Sequence, residues 1–194
     1  MRKFNVCVSN WSEYLRSRIN KSVFIELPCA NIDEEIAKIG VHCDSETPDV
    51  IEIDTVTNGF DCEPFKAYIE NSVSRGEADI REINSIAERL SPLSDEEIEK
   101  LQLFMDANAI LNADLSLAID DFQTAKYYVA EGWHSFVETL LEEGYFDEIF
   151  GIKFVELPEG LKGYIDLEML AQDIAMYDFA QNPYGTLFTK RGEK

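Results

Sequence analysis

Trp133-His134-Ser135-Phe136-Val137-Glu138-Thr139-Leu140-Leu141-Glu142-Glu143-Gly144 is the stretch on which the reading of this chain turns. Its large apolar residues fall at 133, 136, 137, 140 and 141, the spacing of one face of an α-helix, and Gly144 supplies a stop. The polar side is acidic: Glu138 and Glu142 stand four apart, with Glu143 beside them. Like charges at that spacing weaken an isolated helix by about 0.2–0.5 kcal/mol per pair. No lysine or arginine occurs between Lys126 and Lys153 to relieve them. The segment predicts an amphipathic helix that keeps a one-signed outer face at some cost in stability.

The same texture extends to both sides. Ile80, Ile83, Ala87 and Leu90 form one apolar stripe that Pro92 ends. Ser94-Asp95-Glu96-Glu97 is a capping box, followed by Ile98, Leu101 and Met105 on one face. Residues 114–130 read as another helix with room for a break. Asp166 caps a helix whose stripe is Leu167, Leu170, Ala171 and Ile174. Residues 150–157 read as a strand with an odd glycine, and 184–189 as a final strand.

The first part of the chain is strand-prone. Residues 4–8 and 22–27 are short β-type runs closed by Asn10 and Pro28. Residues 31–40 read as a short helix, with Asn31 as N-cap and Gly40 as stop. Residues 50–56 predict a strand with one wet face, while 60–76 carry no clear signal. The expected class is α+β: an elongated chain of small domains, strand-rich at 1–75, helical at 76–123 and mixed helix and sheet at 124–194.

The charge sets the functional question. The chain has 38 acidic and 17 basic residues in 194, a net charge of −21. Between Asp95 and Asp178 there are 20 acids and four bases. Solubility is met by roughly 2–8 net charges in a small domain, and self-repulsion opposes compaction. Hydrophobic residues are 45% of the chain, so a core can form despite the charge. The acids at helix starts, Asp95, Glu96, Glu97 and Asp166, are explained by the helix dipole; Asp147, Glu148, Asp173 and Asp178 are not. A sequence pI near 4.3 argues against direct binding to nucleic acid or an anionic membrane. It fits a protein presenting a rigid negative field to a basic surface. Duplex DNA carries one charge per about 1.7 Å of axis, so 21 charges match roughly 36 Å of duplex.

Catalytic and metal chemistry find little support. HExxH, EF-hand, P-loop and GxSxG patterns are absent. His42-Cys43-Asp44 has no second pair at zinc spacing, and His134 reads as a solvated surface residue. Paired carboxylates for glycoside hydrolysis could be drawn anywhere in so acidic a chain, which makes their presence uninformative. The expectation is a non-enzyme with no metal and no cofactor. Cys7, Cys29, Cys43 and Cys62 lack a CxxC, no 18-residue apolar run occurs, and the basic start is too short for a signal peptide; the chain reads as cytoplasmic, with reduced thiols and no membrane partner.

Several motifs resemble one family. Leu140-Leu141-Glu142-Glu143-Gly144-Tyr145-Phe146-Asp147 resembles the acidic antirestriction motif of the ArdA family. Residues 163–173, Gly-Tyr-Ile-Asp-Leu-Glu-Met-Leu-Ala-Gln-Asp, are similar to its "YID.E..A.D" signature. Tyr184-Gly185-Thr186-Leu187-Phe188 is similar to its closing strand, residues 82–90 to its "ELN.LAE.L" helix and residues 24–28 to its early strand ending in Leu-Pro. The match runs over about residues 76–190; residues 43–75 diverge. The resemblance implies three small domains in a row, carriage on a mobile genetic element, dimerisation through the last domain and a curved acidic rod imitating bent B-DNA. It also implies the partner: the DNA-binding groove of the methyltransferase core of type I restriction–modification enzymes.

On this reading the DNA-mimic surface comprises Asp106, Asp114, Asp120, Asp121, Glu131, Glu138, Glu142, Glu143, Asp147, Glu148, Glu156, Glu159, Glu168, Asp173 and Asp178. Leu141, Tyr145 and Phe146 are candidates for the contact of a homodimer, with ordinary core packing as their alternative. Charge alone fits a second class equally, an acidic adaptor for some other basic nucleic-acid-binding protein.

Overall fold

In the computed structural model the described residues are 2–41, 51–54, 62–76 and 78–191. The fold is α+β, with strands toward the two ends and helices between them. The chain gathers into two compact units, Met1–Ile98 with Leu111–Ile119, and Glu99–Ile110 with Asp120–Lys194.

The first unit is built on a three-stranded antiparallel sheet. Strand β1 (Phe4–Asn10) is central, between β2 (Ser22–Leu27) and β3 (Ile51–Asp54). Helices α1 (Trp11–Ser17) and α2 (Ile32–Ala37) lie between strands in the chain; α3 (Glu63–Arg75) and α4 (Ile80–Leu90) follow them. Alternation puts Phe4, Val6 and Val8 fully inside, opposite Leu27, Ile25 and Ile53. Helix α3 joins this face through Phe65, whose ring lies 4.7 Å from that of Phe4. Asn84 on α4 is buried and ties the segment after β2: its Oδ1 accepts from Cys29 N at 2.7 Å and its Nδ2 donates to Cys29 O at 3.1 Å.

Two helices contribute to both units: α5 (Asp95–Ala107) and α6 (Leu115–Thr124), with a 3₁₀ turn at Asn112–Asp114 between them. The capping box closes reciprocally, Glu97 N donating to Ser94 Oγ and Ser94 N to the Glu97 carboxylate.

The second unit holds another three-stranded antiparallel sheet. Its order is β4 (Tyr127–Val129), β6 (Leu187–Lys190), β5 (Phe179–Gln181), so the strand latest in the chain is central. Helices α7 (Trp133–Glu142), α8 (Tyr145–Phe150), α9 (Glu159–Lys162) and α10 (Leu167–Asp178) complete it. The core is aromatic: Phe136 stacks on Phe188 with centroids 3.8 Å apart and meets Phe179 edge-on at 5.5 Å. Asn182, also buried, shapes the turn into β6, its Oδ1 accepting from Thr186 N and Leu187 N at 2.8 and 3.0 Å.

Several local expectations change. Residues 150–157 form no strand. Helix α8 runs to Phe150, Gly151 breaks it at φ +68, and a 3₁₀ turn occupies Phe154–Glu156. Phe150 and Phe154 pack toward Phe146 and the core instead of lining a sheet. The helix of residues 114–130 stops at Thr124, and Tyr127–Val129 is a strand. Asn31 precedes α2, but the cap is made by its carbonyl, which accepts from Glu34 N and Glu35 N, and not by its side chain. Residues 60–76 include a full helix, α3. Of residues 50–56, Ile51–Asp54 is the strand and the others lie outside the described residues. Of the three predicted segments, the boundary at 75/76 coincides with the end of α3, and that at 123/124 falls in the last turn of α6.

Replacing Asn182 by alanine leaves two backbone donors without their acceptor. At about 1–3 kcal/mol for a buried unsatisfied group, N182A should lower stability by about 2 kcal/mol, read as a lower urea midpoint at unchanged slope.

Candidate functional site

The acidic faces of the second unit follow from how its helices bury their apolar stripes. On α7, Phe136, Val137 and Leu140 point into the core, which leaves Glu138 and Glu142 exposed. On α10, Ala171, Ile174 and Ala175 are buried while Glu168, Asp173 and Asp178 are exposed. These two helices pack against each other through the common core, so their carboxylates line the outer sides of one helical pair. Glu131, Glu148, Glu156 and Glu159 are exposed on the connecting segments and short helices. Asp106, Asp114 and Asp120 are exposed on or beside α5 and α6, and Asp121 is half-buried.

Partners divide these acids into two kinds. Glu131, Glu142, Glu148, Glu168 and Asp173 have no cation within ion-pair distance among the described residues. Glu138 faces only His134 at 3.6 Å, a solvent-exposed pair. Glu159 pairs with Lys162 at 2.7 Å, and Asp106 accepts from Gln102 at 3.0 Å. Asp147 is a structural carboxylate: half-buried, it accepts from Phe154 N at 2.6 Å and closes the turn after α8.

Glu143 is engaged as well. Its carboxylate lies 2.7 Å from Lys126 Nζ. That contact, foremost a hydrogen bond, holds the Glu143 carboxyl below the ordinary range and the Lys126 ammonium above its own. The ammonium sits 5.4 Å from the centroid of the Tyr128 ring, and the Tyr128 hydroxyl adds to both shifts. Lys190 stands 5.3 Å from the Tyr145 ring centroid. Burial, the largest influence, pushes the Tyr145 hydroxyl up.

Of the candidate dimer residues, Phe146 is fully buried in its own core and offers no surface to a second copy. Leu141 and Tyr145 are partly buried against that same core. Large apolar side chains are exposed instead at Ile149, Ile152, Val155, Leu161 and Tyr164.

Two concavities lie in the first unit. A cavity of about 280 Å³ in the first unit is lined by Trp11, Ile51, Ile53 and Val73, and one of about 110 Å³ by Tyr68, Ser72, Arg75 and Glu82. Neither contains any of the candidate acids. Burial, helped by Glu82, pushes the Tyr68 hydroxyl up to about 12. Among the described residues no group of three or more His, Cys, Asp or Glu is placed to hold a metal ion, and no helix is long and apolar enough to cross a membrane. His42-Cys43-Asp44 lies outside the described residues.

Compared with known proteins, the chain matches no family model, and a search of curated proteins finds no match.

The Lys126–Glu143 contact makes a pH prediction. A carboxyl depressed in the folded state adds stability above its ordinary range and loses it as pH falls through the depressed value. NMR titration should place Glu143 below ordinary glutamates, and K126M should return it to them. An ordinary Glu143 in the parent would mean that the pair is not formed in solution.

Proposed function

We propose that this chain is an antirestriction protein that mimics B-DNA and occupies the DNA-binding groove of the methyltransferase core of a type I restriction–modification enzyme. The observation that carries this reading is the state of its acids. All but Asp121 and Asp147 of the candidate set are exposed, and most stand on folded elements without a compensating lysine or arginine. Carboxylates held on helices and turns present acceptors at defined separations, which a groove built from arginine and lysine for phosphate can use. The motifs resembling the ArdA family supply the identity of that groove, since charge alone fits any basic partner. In this reading the protein works without catalysis or cofactor, in the cytoplasm, and does not itself bind nucleic acid. It is a homodimer whose contact uses the exposed Ile149, Val155, Leu161 and Tyr164, Phe146 being committed to the core.

Glu143 and Asp147 are best left out of any neutralisation test, because their loss would disturb the fold locally. The informative variant is E138Q/E142Q/E148Q/D173N/D178N, whose sites are all exposed. If each carboxylate contributes about 0.3 kcal/mol, as exposed ion pairs do, five together amount to about 1.5 kcal/mol, roughly a tenfold loss of inhibition. The salt dependence should flatten as well, since fewer counterions are exchanged. The assay is displacement of labelled target DNA from a purified type I methyltransferase core at two salt concentrations. Near-stoichiometric displacement by the parent that weakens with salt and falls in the variant is the expected result. Equal inhibition by both proteins would remove charge mimicry. No displacement by a folded parent would favour the acidic adaptor.

A further inference from the structure

Helix α10 is apolar on two sides. Toward the core it turns Ala171, Ile174 and Ala175. Its outer side carries Met169, Gln172, Asp173, Met176 and Tyr177, all exposed, at the i, i+3, i+4, i+7, i+8 spacing of a single stripe. Met169, Met176 and Tyr177 are 61%, 62% and 75% accessible. Large apolar side chains scattered singly over a surface need no explanation, but these three share one stripe. A helix that is apolar all round is ordinarily buried all round, and α10 buries its inner face alone.

The outer stripe also holds a charge. Asp173 stands four residues after Met169, three before Met176 and four before Tyr177, so all three are its neighbours on the helix surface. It has no cation within ion-pair distance among the described residues. This combination discriminates among occupants. A second copy of the chain would bring another net charge of −21 against the aspartate, and nucleic acid or anionic lipid would bring phosphate; like charge opposes each. A purely apolar partner would bury the carboxylate uncompensated. Lysine would pair with it, but a compact, strongly hydrated ammonium gains little from thioethers beside it. Arginine meets every feature, because its guanidinium forks onto a carboxylate, stacks on an aromatic face and is weakly hydrated. Methionine adapts its shape to whatever surface the arginine stands on.

We infer that the outer face of α10 is an arginine-recognition surface. Asp173 takes a guanidinium of a basic protein partner, and Tyr177, Met169 and Met176 cover its plane and its aliphatic stem. Arginine selection rests on the proposed function only in that the exposed acids face a basic protein surface. It adds that this face distinguishes arginine from lysine, which charge alone does not.

The test uses the full chain with its methionine methyl groups labelled with carbon-13. The chain has four methionines, and Met105, 1% accessible, serves as an internal control. Hexa-arginine and hexa-lysine peptides are titrated in, and their affinities are measured by anisotropy of fluorescein-labelled forms at two salt concentrations. Hexa-arginine should move the Met169 and Met176 signals and leave Met105 in place. It should bind about threefold more tightly than hexa-lysine, the advantage of one exposed cation–π contact. In M169Q/M176Q/Y177Q, which replaces exposed residues by a good helix former, the preference should vanish while hexa-lysine affinity and its salt dependence stay as in the parent. Equal affinities in the parent, a preference that survives in the variant, or unmoved Met169 and Met176 signals would overturn arginine recognition and leave a basic partner standing. Failure of both peptides to bind would remove arginine recognition and the basic partner together.

Discussion

An excess of negative charge can be kept in a folded chain only if none of it enters the interior, and this constraint orders the whole molecule. Among the described residues the buried polar ones are Ser9, Asn10, Asn84, Ser91, Asn182 and Thr189, all neutral. Aspartate is the usual rival of asparagine for organising backbone N–H groups, and at exposed helix starts the chain uses it: Asp79 and Asp166 accept from Arg81 N and Met169 N. Where the same work is done inside, asparagine replaces it. Desolvating a carboxylate is costly anywhere, and the potential of so many other acids adds to that cost. Asn10 shows the advantage, capping α1 with its oxygen while its amide donates to Ile39 O. An acceptor-only carboxylate could not make both bonds.

Elements whose period was long and interrupted by strong punctuation were readable in advance. The stripe ending before Pro92, the Ser94 capping box and the Asp166 cap all mark helices that are present. The expectations that changed have separate causes. Around Gly151, β-prone aromatic residues serve a packed turn because the Asp147 carboxylate draws in Phe154 N, a contact with no short-range sequence signature. Helix α3 was missed although Pro64 lies in its first turn, Gly76 follows it, and Phe65, Tyr68 and Ile69 share its buried face. The short β4 could not be separated from the preceding helix because its identity depends on pairing with β6, some sixty residues away. For the candidate surface, exposure followed from helical periodicity. Which carboxylates are engaged locally did not, since Lys126 and Glu143 are neighbours only through the fold.

The distribution of charge also changes once the chain is divided as it folds. Cut at residue 92, the sequence is net −7 before and −14 after, as though the field belonged to the later half. The first compact unit takes Asp95, Glu96, Glu97 and Asp114 from the acid-rich stretch, and the two units then carry −11 and −10. The negative field is thus a property of both units. Several cations serve as local staples, Arg81 to Asp33, Lys38 to Glu35, Lys162 to Glu159 and, after α1, Lys21 to Glu13.

The order of the second sheet bears on the birth of the protein. Strand β6 separates β4 from β5, so neither outer strand has its partner until Leu187–Lys190 has been made. During translation the aromatic core must wait for Phe188, against which Phe136 and Trp133 stack. The nascent chain therefore holds its acidic helices without their common scaffold while still attached to the ribosome. Like charges on the exposed sides of α7 and α10 repel between copies, which opposes association of chains whose core is still unfinished.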